Sequence, residues 1–175
     1  MLKLAKSIDA LNQRIGDTLR WLTLAMVLIG SFNALMRYAD KTLGVQLSSN
    51  AYIETQWYLF SILFLGTMAY TLKNGGHVRV DVWYGKRSEK TQAWINLTGT
   101  VLFLVPFCGL VLWASARALT TGAWTIDEMS PDPGGLPRFP IRMTIPIAFV
   151  LLTLQALPII IRSIATIRGE EEVTV

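Results

Sequence analysis

The chain has 175 residues, 52% of them hydrophobic and 16% charged. A soluble domain carries about 25% charged residues, so this chain lacks the polar surface that a soluble fold of its length needs. The formal charge of +4 does not point to nucleic acid, because the basic residues flank apolar runs, and Cys108, the one cysteine, excludes an internal disulfide.

The composition predicts an all-α integral membrane protein forming a single membrane domain over residues 1–175. Within residues 1–20, Leu4, Ile8, Leu11, Ile15 and Leu19 recur at helical spacing, with Lys3, Lys6, Asp9, Asn12, Gln13 and Asp17 around the remainder. That pattern predicts an amphipathic helix lying in the membrane interface. A cytosolic helix packed on a neighbour gives the same pattern. No small-residue cleavage site follows, which argues against a signal peptide.

Four runs then approach the roughly 20 apolar residues that cross a bilayer. They fall at residues 21–38, 52–72, 94–114 and 141–161. In the first, Ser31 and Asn33 are tolerable facing another helix. Pro106 and Pro158 lie inside the third and fourth, where each removes a backbone hydrogen bond and bends its helix. Trp21, Tyr38, Tyr52, Tyr70, Trp94 and Trp113 fall near span ends, as interfacial aromatics do.

Lys3, Lys6, Arg14 and Arg20 precede the first span. Lys73, Arg79, Lys86, Arg87 and Lys90 follow the second, and Arg162 and Arg168 follow the fourth. Fewer basic residues occupy the other two connections: Arg37, Lys41, Arg117, Arg138 and Arg142. The positive-inside rule therefore predicts that both termini are cytoplasmic.

In the middle connection, residues 73–93, Gly75 and Gly76 stop the second helix. The alternating stretch at residues 78–83 has no ladder partner and reads as a short interfacial helix. Arg79, Lys86, Arg87 and Lys90 are candidate contacts for anionic lipid headgroups. Residues 120–140 form a loop rich in proline and glycine, stiff because proline fixes φ. Asp127, Glu128 and Asp132 make it acidic, and residues 170–172 form a solvated acidic tail.

Little in this chain carries chemistry. His77, the one histidine, lies in a connection, without the paired axial ligands of a membrane haem or the partners of a metal site. There is no phosphate-binding GxxxxGK[ST] loop and no nucleophile beside a base. The expectation is a protein that is not an enzyme and takes no cofactor.

Glu54 is the one acidic residue inside an apolar run. It reads either as a buried functional carboxylate, paired with Arg37 across the helix ends, or as an interfacial residue in the first turn of a helix opened by residues 48–50. Gln56, Thr67 and Gln155 could hydrogen-bond neighbouring helices as structural glue.

Residues 54–60 (ETQWYLF), Leu65-Gly66, Ala69-Tyr70, Leu72 and the run from Gly75 to Val82 (GGHVRVDV) follow one another in order. Together they resemble the small, DctQ-like subunit of tripartite ATP-independent periplasmic (TRAP) transporters. Residues 130–142 (SPDPGGLPRFPIR) resemble a branch of that family labelled mannitol/chloroaromatic-type.

The resemblance implies a multi-pass subunit of a bacterial inner membrane. It implies two partners, a large elevator-type membrane subunit that holds the substrate and sodium sites and a periplasmic substrate-binding protein. It further implies sodium-driven uptake of an organic acid. The acidic outer loop would then either dock the binding protein through Asp127, Glu128 and Asp132 or merely order the entry of helix four. Two other readings remain: a self-contained proton-coupled four-helix transporter using Glu54, and a membrane anchor for another complex.

Overall fold

A computed structural model describes residues 2–44, 47–76 and 84–169. Among these residues the regular structure is helical, apart from an isolated antiparallel bridge between Met129 and Pro137. His77, Arg79, the alternating stretch at 78–83 and the acidic tail lie outside the described residues.

Helix α1 spans Leu2–Leu19 and α2 spans Trp21–Leu43. They join through Arg20, whose backbone stays helical. Gly44, at φ 67°, ends α2 by returning its N–H to the Asp40 carbonyl. The Asp40 carboxylate then accepts from the Leu47 amide at 2.5 Å and the Ser48 amide at 3.0 Å, fixing the turn into the next helix.

Helix α3 spans Asn50–Gly66 and α4 spans Met68–Lys73. Ser49 caps α3 by accepting from the Ala51 amide. Thr67 separates α3 from α4, with φ −90° and ψ −2°. Its hydroxyl donates to the Leu63 carbonyl at 2.7 Å, a back-bond that bends helices. The backbone ladder still crosses the junction, with Thr67 N–H on the Leu63 carbonyl and Thr71 N–H on the Thr67 carbonyl. Gly75, at φ 63°, closes α4, and the Gly76 amide bonds back to the Thr71 carbonyl.

Helix α5 spans Glu89–Gly99, and α6 spans Val105–Thr120. Between them Thr100–Leu104 forms a π-helical turn in which Val105 N–H donates to the Thr100 carbonyl, five residues back. Pro106 has no N–H to offer the preceding turn. The widened turn immediately before it is how the chain accommodates that loss. Helix α7 spans Phe139–Arg168 and runs through both Pro146 and Pro158.

Among the described residues, three helical runs are long and apolar enough to cross a membrane: Lys3–Leu43, Glu89–Thr120 and Phe139–Arg168. The run expected at residues 52–72 is instead divided at Thr67 into α3 and α4.

Helix α7 is the central element and packs on α1, α3, α4, α5 and α6. Its interior face includes Ala148, Phe149, Leu152, Gln155, Ala156 and Pro158. Cys108, Phe149 and Leu152 form the core cluster, flanked by Met68, Leu72 and Leu104. Elsewhere the buried residues are mostly small, such as Ala5, Ala69, Ala93 and Ala165. Small residues suit helices in lipid, where no hydrophobic force drives association and close backbone approach must supply the packing.

The antiparallel seam between α1–α2 and α3–α4 is lined by glycines. Gly16 faces the Tyr70 ring, Gly66 faces Leu19, and Gly30 faces Gln56. Phe32 meets Tyr52 edge-on, with ring centroids 5.4 Å apart. Outward faces of α2 and α5–α6 carry large exposed apolar residues, among them Trp21, Leu28, Leu35, Leu102, Phe103 and Trp113.

Candidate functional site

Two polar clusters interrupt this apolar bundle, one at each end. At the end that carries α1 and the C-terminal part of α7, four side chains meet. Asp9 and Asn12 come from α1, and Gln155 and Arg162 from α7. The Asn12 amide donates to Gln155 Oε1 at 2.6 Å, and Gln155 Nε2 donates to Asp9 Oδ1 at 2.8 Å. The other Asp9 oxygen receives the Arg162 guanidinium in an ion pair. Gln155 is 0% exposed and Asn12 1%. Buried charged and amide groups need partners, and here each supplies one for the next, while Asn12 Oδ1 and Arg162 Nε are left without one. Alongside, Lys73 Nζ donates to Gln13 Oε1 at 2.7 Å, tying α4 to α1.

This arrangement turns part of the polar face of α1 toward the protein. Helix α1 buries Ala5, Ile8, Asp9, Asn12 and Gly16. Leu4 and Leu11, from the apolar stripe, are exposed. In lipid, apolar side chains gain nothing by leaving the bilayer for the protein interior, whereas polar ones gain partners there.

At the opposite end, Glu54 is only 6% exposed. Its carboxylate is taken up by the loop between α6 and α7. The Ser130 hydroxyl donates to Oε1, and the Leu136 amide donates to Oε2 at 2.5 Å. Nearby, Asn50 Nδ2 donates to the Pro133 carbonyl at 3.1 Å, and Tyr58 Oη donates to the Pro137 carbonyl at 3.1 Å. Three side chains of α3 thus hold one loop in place.

The loop also closes on itself. Ser130 N–H donates to the Leu136 carbonyl at 3.1 Å, and Arg138 N–H to the Glu128 carbonyl at 2.8 Å. Glu128 forms a two-pronged ion pair with Arg142 at the start of α7, and Arg138 stands 3.9 Å away. Its carboxylate therefore serves the loop's own fold. Asp127 and Asp132 project outward, beside the exposed Ile126 and Met129.

The other sequence candidates are scattered. Arg37 is exposed and lines a shallow pocket with Ser48, Ser49, Asn50 and Pro133. Among the described residues no ion pair joins it to Glu54, so the pairing expected for Glu54 is replaced by the loop contacts. Lys86, Arg87 and Lys90 lie exposed around the start of α5, in a turn held by Gln92 and Tyr84. Gln56 reaches across to the Met26 carbonyl on α2 at 3.2 Å, whereas Thr67 bonds only within its own helix. Asn33 is buried, and Ser31 is exposed.

Sequence reasoning missed Asp9, Asn12 and Arg162 as a cluster. A signal was present: Asp9, Asn12 and Gly16 share one helical face, and Arg162 stands alone in a long apolar run.

The model for the DctQ component of tripartite ATP-independent periplasmic transporters matches residues 26–166. The chain belongs to the DctQ family. No curated protein and no solved structure matches it. This DctQ protein is thus the small membrane component of a TRAP transporter, a family of transport components and not of enzymes. Glu54, the loop, Gln155 and Arg162 lie within the match. Asp9 and Asn12, on α1, lie outside it.

Proposed function

We propose that this DctQ component is a four-span scaffold of the bacterial inner membrane, a single membrane domain with both termini cytoplasmic. In this reading it stabilises the large elevator-type subunit of a sodium-driven organic acid importer. It handles neither ion nor solute itself.

The observation that carries the reading is that both buried carboxylates find all their partners within the chain. Asp9 is matched by Arg162 and Gln155, and Glu54 by Ser130 and the Leu136 amide. A carboxylate that carries an ion or a proton must be free to exchange partners. These two are engaged on both oxygens. The exposed apolar faces of α2 and α5–α6 suit lipid and a large helical partner.

Residues 50–73 supply the fourth span when α3 and α4 are taken together across Thr67, whose backbone ladder is unbroken. The distribution of Lys and Arg supports cytoplasmic termini. The loop held by Glu54 then faces the periplasm, with Asp127 and Asp132 available to the binding protein. Lys86, Arg87 and Lys90, with Arg79 by its place in the sequence, are the proposed contacts for anionic headgroups of the inner leaflet.

Reconstitution tests the whole reading. Proteoliposomes with this chain alone should show no sodium- or proton-linked uptake, and adding the large subunit and binding protein should confer sodium-driven uptake. Flux through the lone chain that Glu54→Gln abolishes would establish the self-contained transporter instead. Co-purification with a redox enzyme in place of a large polytopic partner would favour the anchor.

A further inference from the structure

The junction of α1 and α2 carries an open, shallow surface depression of about 650 Å³, lined along one helix run by Arg20, Trp21, Thr23, Leu24 and Val27. Its lining is apolar except at one end, where Arg20 lies. Arg20, Leu24 and Val27 are spaced i, i+4 and i+7, so the depression extends roughly 10 Å along one helix face. The Arg20 guanidinium stands 5.9 Å from the centre of the Trp21 ring, within cation–π range. Trp21 is itself 64% exposed.

The buried cluster determines the charge around this depression. Because Asp9 points inward to Arg162, its negative charge is removed from the outer surface of α1. Lys3, Lys6, Arg14 and Arg20 all remain exposed. Asp17 is the remaining acid of α1, and it is shared between Gln13 at 3.1 Å and Arg20 at 3.8 Å. An exposed pair of that length holds Arg20 weakly, leaving most of its donors available. Helix α1 thus exposes three cations and Arg20 directly after it a fourth, with Leu4 and Leu11 also exposed on the helix.

A cationic head above an apolar depression matches an amphiphile with an anionic head. An apolar partner helix satisfies its own backbone in lipid but brings no anion to Arg20, whereas an anionic lipid supplies both the apolar chain and the counter-charge. We propose that this depression binds an anionic phospholipid, with the phosphodiester on Arg20 and an acyl chain along Leu24 and Val27. Lys3, Lys6 and Arg14 extend the site into the surrounding headgroup layer. The proposal rests on the membrane-spanning part of the functional reading and is independent of sodium coupling or substrate.

The test is lipid retention by the purified full chain, measured by native mass spectrometry after exposure to equal amounts of phosphatidylglycerol and phosphatidylcholine. The wild type should retain phosphatidylglycerol preferentially. Arg20→Gln should lower that retention about fivefold, the ratio set by one lost headgroup cation. Arg20→Lys should preserve most of it. Replacing Lys3, Lys6 and Arg14 together by Gln should weaken it further, with secondary structure and monodispersity unchanged.

Equal retention of the two lipids by the wild type would overturn the proposal, whatever the variants do. So would unaltered phosphatidylglycerol retention in folded Arg20→Gln, or a second copy of the chain bound in place of lipid. Lipid retention together with failed uptake in the reconstituted complex would count against the transport reading and leave this site standing.

Discussion

Asp9 and Arg162 form an ion pair between the first and last helices, across a sequence separation of 153 residues. Asp9 also accepts from Gln155, which in turn accepts from Asn12. The pair therefore fixes α1 against α7 in both position and rotation. Removing one member of a buried pair costs about 3–5 kcal/mol because the other charge is left behind. The Arg162 side chain keeps 27% exposure and can be partly rehydrated, so Asp9→Ala should cost less, about 2–3 kcal/mol. Asp9→Asn, which keeps an acceptor for Gln155, should cost less again. Unfolding in detergent, with Arg162→Gln completing a double-mutant cycle, measures the coupling. A coupling near zero would mean that the two side chains do not act as a pair.

The glycine seam makes a graded prediction. A Cβ on Gly16 would lie 2.5 Å from both Cγ and Cδ2 of Tyr70. A Cβ on Gly66 would meet Leu19 Cδ1, also at 2.5 Å, but with Leu19 Cγ as far as 3.8 Å. The leucine tip can rotate away, whereas the tyrosine ring would have to move as a unit. Gly16→Ala should therefore destabilise by about 1–3 kcal/mol, as overpacking does, and Gly66→Ala by clearly less. Thermal unfolding of the two variants in the same detergent gives the order. Equal effects would mean that the seam is loosely packed.

The long helices were legible because hydrocarbon thickness imposes its own length on the sequence. Residues 94–114 and 141–161 lie inside the observed helices Glu89–Thr120 and Phe139–Arg168. The helices run past the apolar limits because hydropathy marks the hydrocarbon, not the end of the hydrogen-bond ladder. Gly75 was readable as a stop, and it adopts positive φ. The break at Thr67 was not readable: its hydroxyl back-bond to Leu63 has equivalents at Thr55 and Thr153, where the helix continues. The facing of α1 was not readable either. Periodicity separates two faces of a helix, but it does not say which one meets protein when the alternative is lipid. The carboxylates of Glu54 and Asp9 met partners 82 and 153 residues away, separations over which local pattern carries no information.

Glu54 makes the loop a rigid body. Glu54→Gln can still accept from the Leu136 N–H and turn its NH2 toward Ser130 Oγ, but it removes the negative charge that strengthens the Leu136 bond. The loss of that charge assistance should cost about 1 kcal/mol, felt locally. Hydrogen exchange at the Leu136 amide should accelerate, and proteolysis within residues 121–138 should rise. Gly135→Ala should act similarly, because its Cβ would fall 2.4 Å from Ser130 Cβ and 2.8 Å from Glu54 Oε1. Unchanged exchange in both variants would mean that the carboxylate does not restrain the loop.

The three acidic residues of the loop should then separate into two behaviours. Glu128 is engaged by Arg142 and Arg138, so Glu128→Gln should loosen the loop and lower the amount of folded protein. Asp127 and Asp132 are exposed and should tolerate Asn with stability changed by less than about 0.5 kcal/mol, as surface positions do. Their effect should appear instead in transport. If they attract a basic surface on the binding protein, Asp127→Asn with Asp132→Asn should raise the binding-protein concentration needed for half-maximal uptake. The shift should shrink as salt is raised, because exposed charges are screened over about 10 Å at ordinary ionic strength. Maximal uptake at saturating binding protein should stay unchanged. The same concentration dependence in wild type and double variant would remove these carboxylates from docking and leave the loop with a structural role alone.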